Sequence, residues 1–149
     1  MIITFCGHSD YIQNNRDEEK ILAILEEQTV NTQVDFYLGG YGNFDNFAYF
    51  CAKKHKALHP NARLIFITPY LPPRIDAKEY DDIIYPALEH APPKFAISHR
   101  NKWMIKKADV VIAYVCHEFG QSHKSLSIAK SQNKTIINIA SHITQKDKV

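Results

Sequence analysis

The sequence predicts a doubly wound α/β domain: a parallel sheet with helices on both faces, forming three layers. Short apolar runs end at glycine or polar turns, and stretches with helical apolar spacing follow them. The runs are almost continuously apolar rather than alternating, as expected of strands covered on both faces.

Ile2 to Cys6 is the first strand, ending at Gly7. Ile21, Leu22, Ile24 and Leu25 fall at helical spacing behind Asp17-Glu18-Glu19, acidic residues that suit the positive end of a helix. Val34 to Leu38 is the second strand, broken by Gly39-Gly40. The stripe Phe44, Phe47, Ala48, Cys51, Ala52, Leu58 then marks a second helix, stopped at His59-Pro60. Leu64 to Ile67 is the third strand. Thr68 to Pro93 carries six of the seven prolines and reads as irregular, with a short strand or turn within Asp81 to Leu88; long loops of this kind often serve as lids. Ile97 to Lys107 is a helix with Trp103, Met104 and Ala108 facing inward, and Asp109 to Val115 is a central strand. A helix with Leu126, Ile128 and Ala129 follows Gly120, Thr135 to Ile139 is the last strand, and 145–149 should fray.

Right-handed crossovers leave few topologies, of which the simplest orders these five strands 3-2-1-4-5. Strands one and four then meet at the switch point. The turns after them, Gly7-His8-Ser9 and His117 to Ser122, flank one crevice, where open α/β sheets bind ligands.

The length of 149 residues suits one domain spanning 1–149, and 45% hydrophobic with 23% charged residues is ordinary globular composition. No apolar run approaches the ~20 residues that cross a bilayer, and the amino terminus lacks the basic segment of a signal peptide. Three unpaired-looking cysteines, Cys6, Cys51 and Cys116, point to a reducing, cytoplasmic setting, with Cys6 and Cys116 as buried strand-end residues. A net charge of +2 with scattered lysines argues against nucleic acid as a partner; Lys53, Lys54 and Lys56 read as a solvated helix face.

Three segments carry chemistry. Gly39-Gly40-Tyr41-Gly42-Asn43-Phe44-Asp45 lies between a strand and a helix, so its backbone N–H groups face a positive helix end and its glycines permit close approach of a phosphate or ribose. Gly120-Gln121-Ser122 opens another helix and offers a second anion cradle, beside the plainer reading that Ser122 is an N-cap. Arg100-Asn101 follows Ser98-His99, and a positive charge at a helix start opposes the dipole, so Arg100 has another task, such as a phosphate or carboxylate contact. His8 can touch the same ligand or be a simple turn residue. Gathering Cys6, His8, Cys116 and His117 around zinc is set aside for want of ligand spacing, and no metal or required cofactor is expected. Asp76, Glu79, Asp81 and Asp82 read as a solvated acidic loop, with a general acid over the pocket as the sharper alternative.

Taken in order along nearly the whole chain, the glycine turn with Asp45, then Arg100-Asn101 with Met104, Ala108-Asp109, and Gly120-Gln121-Ser122 resemble the Rossmann-like superfamily shared by the DNA-processing protein Smf/DprA and the cytokinin-activating LOG enzymes, the SLOG superfamily. The resemblance implies a pocket for a nucleotide, nucleoside or ribosyl phosphate, and often a homodimer. Its enzymatic branch hydrolyses the N-glycosidic bond of nucleoside monophosphates through Pro-Gly-Gly-x-Gly-Thr-x-x-Glu. Here Leu38 stands for the proline, Asn43 for the threonine and Asn46 for the glutamate, so the carboxylate that an oxocarbenium-like transition state needs is displaced to Asp45, ~100° around the helix. The binding reading leads. An N-glycosidic hydrolase or deoxyribosyltransferase using Asp45 is the alternative, and a DNA-processing role the third.

Overall fold

The computed structural model describes residues 1–70, 79–86 and 95–140. In chain order the elements are β1 (Ile2–Gly7), α1 (Asn15–Gln28), β2 (Asp35–Leu38), α2 (Asn43–Leu58), β3 (Arg63–Ile67), β4 (Asp82–Ile84), α3 (Ala96–Lys107), β5 (Val110–Tyr114), α4 (Gln121–Ser131) and β6 (Thr135–Asn138). All six strands run parallel in the order β4-β3-β2-β1-β5-β6. The five strands read from the sequence keep the order read for them. The short strand or turn within Asp81 to Leu88 is the edge strand β4, paired along β3 from Ile65↔Asp82 to Ile67↔Ile84. The rest of that segment, residues 87–88, like Asp76, most of the proline-rich stretch and the tail 145–149, lies outside the described residues.

The pleat of β1 shows the layering. Ile3 and Phe5 join Phe36, Leu38, Val110 and Ile112 under α1 and α2, with Ile21, Leu25, Phe44, Phe47 and Cys51 packed on them. Cys6, next in the opposite phase, faces Ile105, Val111, Ala113, Leu126 and Ala129 on the α3–α4 side. A strand covered on both faces has no polar phase, which is why these runs look uniformly apolar.

Local chemistry sets the helix ends. Asn14 caps α1 by accepting from the Asp17 N–H at 2.9 Å, and the buried Asp17 carboxylate accepts from Tyr11 Oη at 2.6 Å and Asn14 Nδ2 at 3.0 Å. In α2 the buried stripe ends at His55, whereas Leu58 is exposed at the terminus rather than closing the stripe. Lys53, Lys54 and Lys56 are ion-paired to Glu79, Glu18 and Asp81 along the α2 surface. Among the described residues, no helix is long and apolar enough to cross a membrane.

Candidate functional site

The register Cys6↔Ala113 and Gly7↔Tyr114 sends the turns after β1 and β5 out side by side. Between them, the amino-terminal turns of α3 and α4, and the start of α2 lies a cavity of about 410 Å³. That volume lies within the range of small-molecule sites.

His8 organises one wall. Its Nε2 accepts the Cys116 backbone N–H at 2.9 Å, so in the neutral ring Nδ1 carries the proton and donates it to Ser122 Oγ at 2.7 Å. Ser122 then has its own hydroxyl proton left to donate elsewhere. Burial, with the stacked His117 adding to it and Asp10 opposing, holds the His8 pKa below its usual value and keeps the ring neutral. His8 stacks on His117 and His117 on Phe119, each pair with centroids 3.8 Å apart, and the ladder ends in an exposed Phe119 ring. Directly after it Gly120 takes φ 89°, a left-handed conformation that suits glycine, and begins α4 with no side-chain cap. The amide N–H groups of the first α4 turn therefore face the cavity side uncapped by any described side chain, at the positive end of the helix.

The opposite wall carries a buried guanidinium, Arg100, and a half-buried carboxyl group, Asp45. Arg100, in the first half of α3, is almost fully buried under the carboxyl ends of β2 and β3, where Nη1 donates to Gly39 O at 2.8 Å and Ile67 O at 3.1 Å. Nε donates to Asn101 Oδ1 at 2.9 Å. Two of the three guanidinium nitrogens are thus committed to the protein, and among the described residues Nη2 has no hydrogen-bond partner. Asp45, in the first turn of α2, accepts the Tyr41 N–H at 3.0 Å. Burial raises its pKa to about 6, although the Arg100 guanidinium and the Tyr41 N–H both pull it down.

The glycine turn makes room for both groups. A Cβ on Gly39 would lie 2.7 Å from Arg100 Nη1 and 2.9 Å from Asp45 Oδ2. Gly42, at φ 98°, presses against Ser9, and the Asn43 N–H donates to Ser9 O at 3.0 Å. The amides of Tyr41 and Asn43 are therefore spent within the protein.

The structure brings Gly7, His8, Ser9, Asp45, Arg100, Asn101, Gly120, Gln121 and Ser122 around the cavity; Gly39, Gly40, Gly42 and Asn43 stand behind its lining. Sequence reading missed the apolar floor of Met104 and Ile105 and Phe119 at the mouth. An aromatic residue directly before the Gly120 helix start was the available signal for Phe119. Glu79, Asp81 and Asp82 lie away from the cavity and pair instead with Lys53, Lys56 and Arg63. Cys6 is buried as read, but Cys116 is exposed, because β5 ends at Tyr114 and the chain has already turned outward.

No family model and no curated protein sequence matches the chain. Among solved structures it is similar to DNA processing protein A from Helicobacter pylori, described by its single-stranded DNA binding mode, with TM-score 0.63 and 16% identity over 100% of this chain and 74% of that one. It is also similar to TM1055, a structural-genomics target, with TM-score 0.60 and 12% identity over 97% of this chain and 80% of that one. The first similarity corrects the argument against nucleic acid drawn from the charge: a neighbour in fold is described as binding single-stranded DNA, so scattered lysines do not weigh against that class of partner. The six-stranded parallel sheet and both similarities give the chain a Rossmann-like fold.

Proposed function

We propose that the cavity binds a nucleotide-like ligand, a free nucleoside phosphate or the terminal nucleotide of a strand, without a cofactor. The observation that carries this reading is the His8–Ser122 lock beneath the uncapped α4 terminus. A phosphate accepts from the first-turn amides and from the Ser122 hydroxyl, whose proton the His8 tautomer turns away from itself. The exposed Phe119 ring offers a base a face to stack on, and Asp45 and Arg100 Nη2 offer an acceptor and a donor to ribose hydroxyls.

Calorimetric titration with nucleoside monophosphates, NAD, ADP-ribose and a short single-stranded oligonucleotide tests it. Binding of a phosphorylated member and at least tenfold weaker binding by Ser122→Ala is expected, while no binding across the panel overturns it. Preference for the oligonucleotide would assign the site to single-stranded DNA, in keeping with the fold neighbour.

One observation favours a second reading, N-glycosidic hydrolysis. Asp45 lines the cavity with a pKa of about 6, whereas Asn46, which stands where the enzymatic motif has glutamate, lies outside it. A carboxyl group poised near neutrality suits charge stabilisation at a ribose carbon. Chromatographic detection of free base, abolished in Asp45→Asn with binding retained, supports it; intact nucleotide after prolonged incubation refutes it.

A further inference from the structure

At the opposite end of the sheet, Glu26 near the end of α1 meets His55 and His59 at the end of α2. One donor atom from each lies within 4.8 Å of the others. His59 Nε2 is 2.6 Å and His55 Nδ1 3.6 Å from the same oxygen, Glu26 Oε1. The two histidines are four residues apart, one helical turn, which sets both rings on one face.

The ring of His55 is the informative one. It is 2% exposed, and its Nδ1 is buried with no hydrogen-bond partner among the described residues. The other nitrogen, Nε2, lies 3.4 Å from Thr29 Oγ1. That hydroxyl already donates to Leu25 O at 2.7 Å, so it can only accept from His55. Nε2 therefore holds the ring proton, and Nδ1 presents a bare lone pair beside the Glu26 carboxylate. An unsatisfied lone pair in a buried site is costly. A hydroxyl that fixes the tautomer from behind is how ligating histidines are oriented.

We propose that Glu26 Oε1, His55 Nδ1 and His59 Nε2 bind a divalent transition-metal ion of the zinc, cobalt and nickel class. Two imidazoles and a carboxylate suit such ions and leave a coordination position for water. Donors bonded at about 2.0–2.1 Å sit about 3.4 Å apart around a tetrahedral ion. The His55–Glu26 separation already matches this. The rings are stacked at 4.3 Å with a 22° tilt, so their lone pairs lie in separate, nearly parallel planes and one ring must turn for both to meet one ion. His59 and Glu26 are the exposed partners and can turn; His55 stays fixed. Water enters from the adjoining groove of about 620 Å³. The ion would clip the end of α1 to the end of α2, on residues separate from the nucleotide-like cavity.

Cobalt(II) titration of the intact chain, followed by its ligand-field absorption and by calorimetry, tests the site. One equivalent per chain is expected, with an affinity at least tenfold weaker in His59→Ala and in Glu26→Gln and unchanged in His117→Ala. Both weakened variants alter exposed side chains, so circular dichroism should show them folded. Zinc(II) should raise the thermal midpoint of the wild type and not that of His59→Ala. No saturable cobalt binding, binding indifferent to His59→Ala, or binding lost in His117→Ala overturns the assignment.

Discussion

Replacing Asp45 by asparagine should stabilise the protein at alkaline pH and have little effect in acid. The carboxyl group has an ordinary pKa of 3.8 and is raised to about 6 in the fold, by burial first and against the pull of Arg100 and the Tyr41 N–H. A raised acid pKa means that the folded state resists ionisation, so this carboxylate destabilises the protein once the solution favours its charged form. The cost fades away below pH 3.8, grows as pH rises through the window from 3.8 to about 6, and is complete above it. Linkage over that interval gives about 3 kcal/mol at pH 8 and about 0.6 kcal/mol at pH 4. Asparagine copies the protonated acid in shape and still accepts from Tyr41. Arg100 keeps Gly39 O, Ile67 O and Asn101 Oδ1 in either case. Urea unfolding of wild type and variant at pH 4, 5 and 8 reads the difference directly. An Asp45→Asn variant less stable than wild type at pH 8, or a difference that does not change with pH, would show that attraction to Arg100 outweighs desolvation.

Gly7→Ala should destabilise by about 3 kcal/mol or more, because its Cβ would fall 2.3 Å from Cγ and Cδ2 of the fully buried Phe44 ring; thermal or urea unfolding checks it. In NMR titration His8 should show a midpoint below 6.5, so its share of stability is full above pH 6.5 and is lost as the pH falls towards the folded value. Mass-detected thiol labelling of the native chain should modify Cys116 and spare Cys6 and Cys51, whose burial pushes both thiols up to about 12; unfolding should expose all three.

Much of this architecture is legible in one sequence because parallel strands buried on both faces leave a strong local mark. Ile2 to Cys6 and Val110 to Val115 are largely apolar in both phases, and a central position explains that. The site is legible at its helix starts and in the Gly7-His8-Ser9 turn. Gly120 and Gly42 announce positive φ, but sequence cannot say whether the amides beyond them face a ligand or the protein. Here Asn43 donates to Ser9 O, while the first turn of α4 is left uncapped. The burial of Arg100 was half visible, in a cation placed against a helix dipole. What hid the rest is that its acceptors, Gly39 O and Ile67 O, come from two other strand ends. His55 and His59 show helical spacing on their own. Glu26 joins them only once α1 packs on α2, and Thr29 must fix the tautomer before His55 reads as a ligand rather than a core ring.

These placements shift where ligand discrimination must come from. Backbone amides recognise an anion and are indifferent to what carries it. If the glycine turn held the ligand, the site would select for phosphate alone. Instead its glycines make room: Gly39 for Arg100 and Asp45, Gly42 for the Ser9 turn. What faces the cavity is a set of side chains with fixed directions: a Ser122 proton turned outward by His8, a Phe119 face, and a carboxyl group whose charge changes near pH 6. Such groups distinguish a base or a sugar hydroxyl from its absence, because an unpaired buried donor or acceptor is penalised. Selectivity should therefore reside in the ribosyl and base portions of the ligand. Inorganic phosphate should compete with a bound nucleotide only weakly, and only at α4. Competition by phosphate as strong as by the nucleotide's own 5′-monophosphate would return the task of recognition to the main chain.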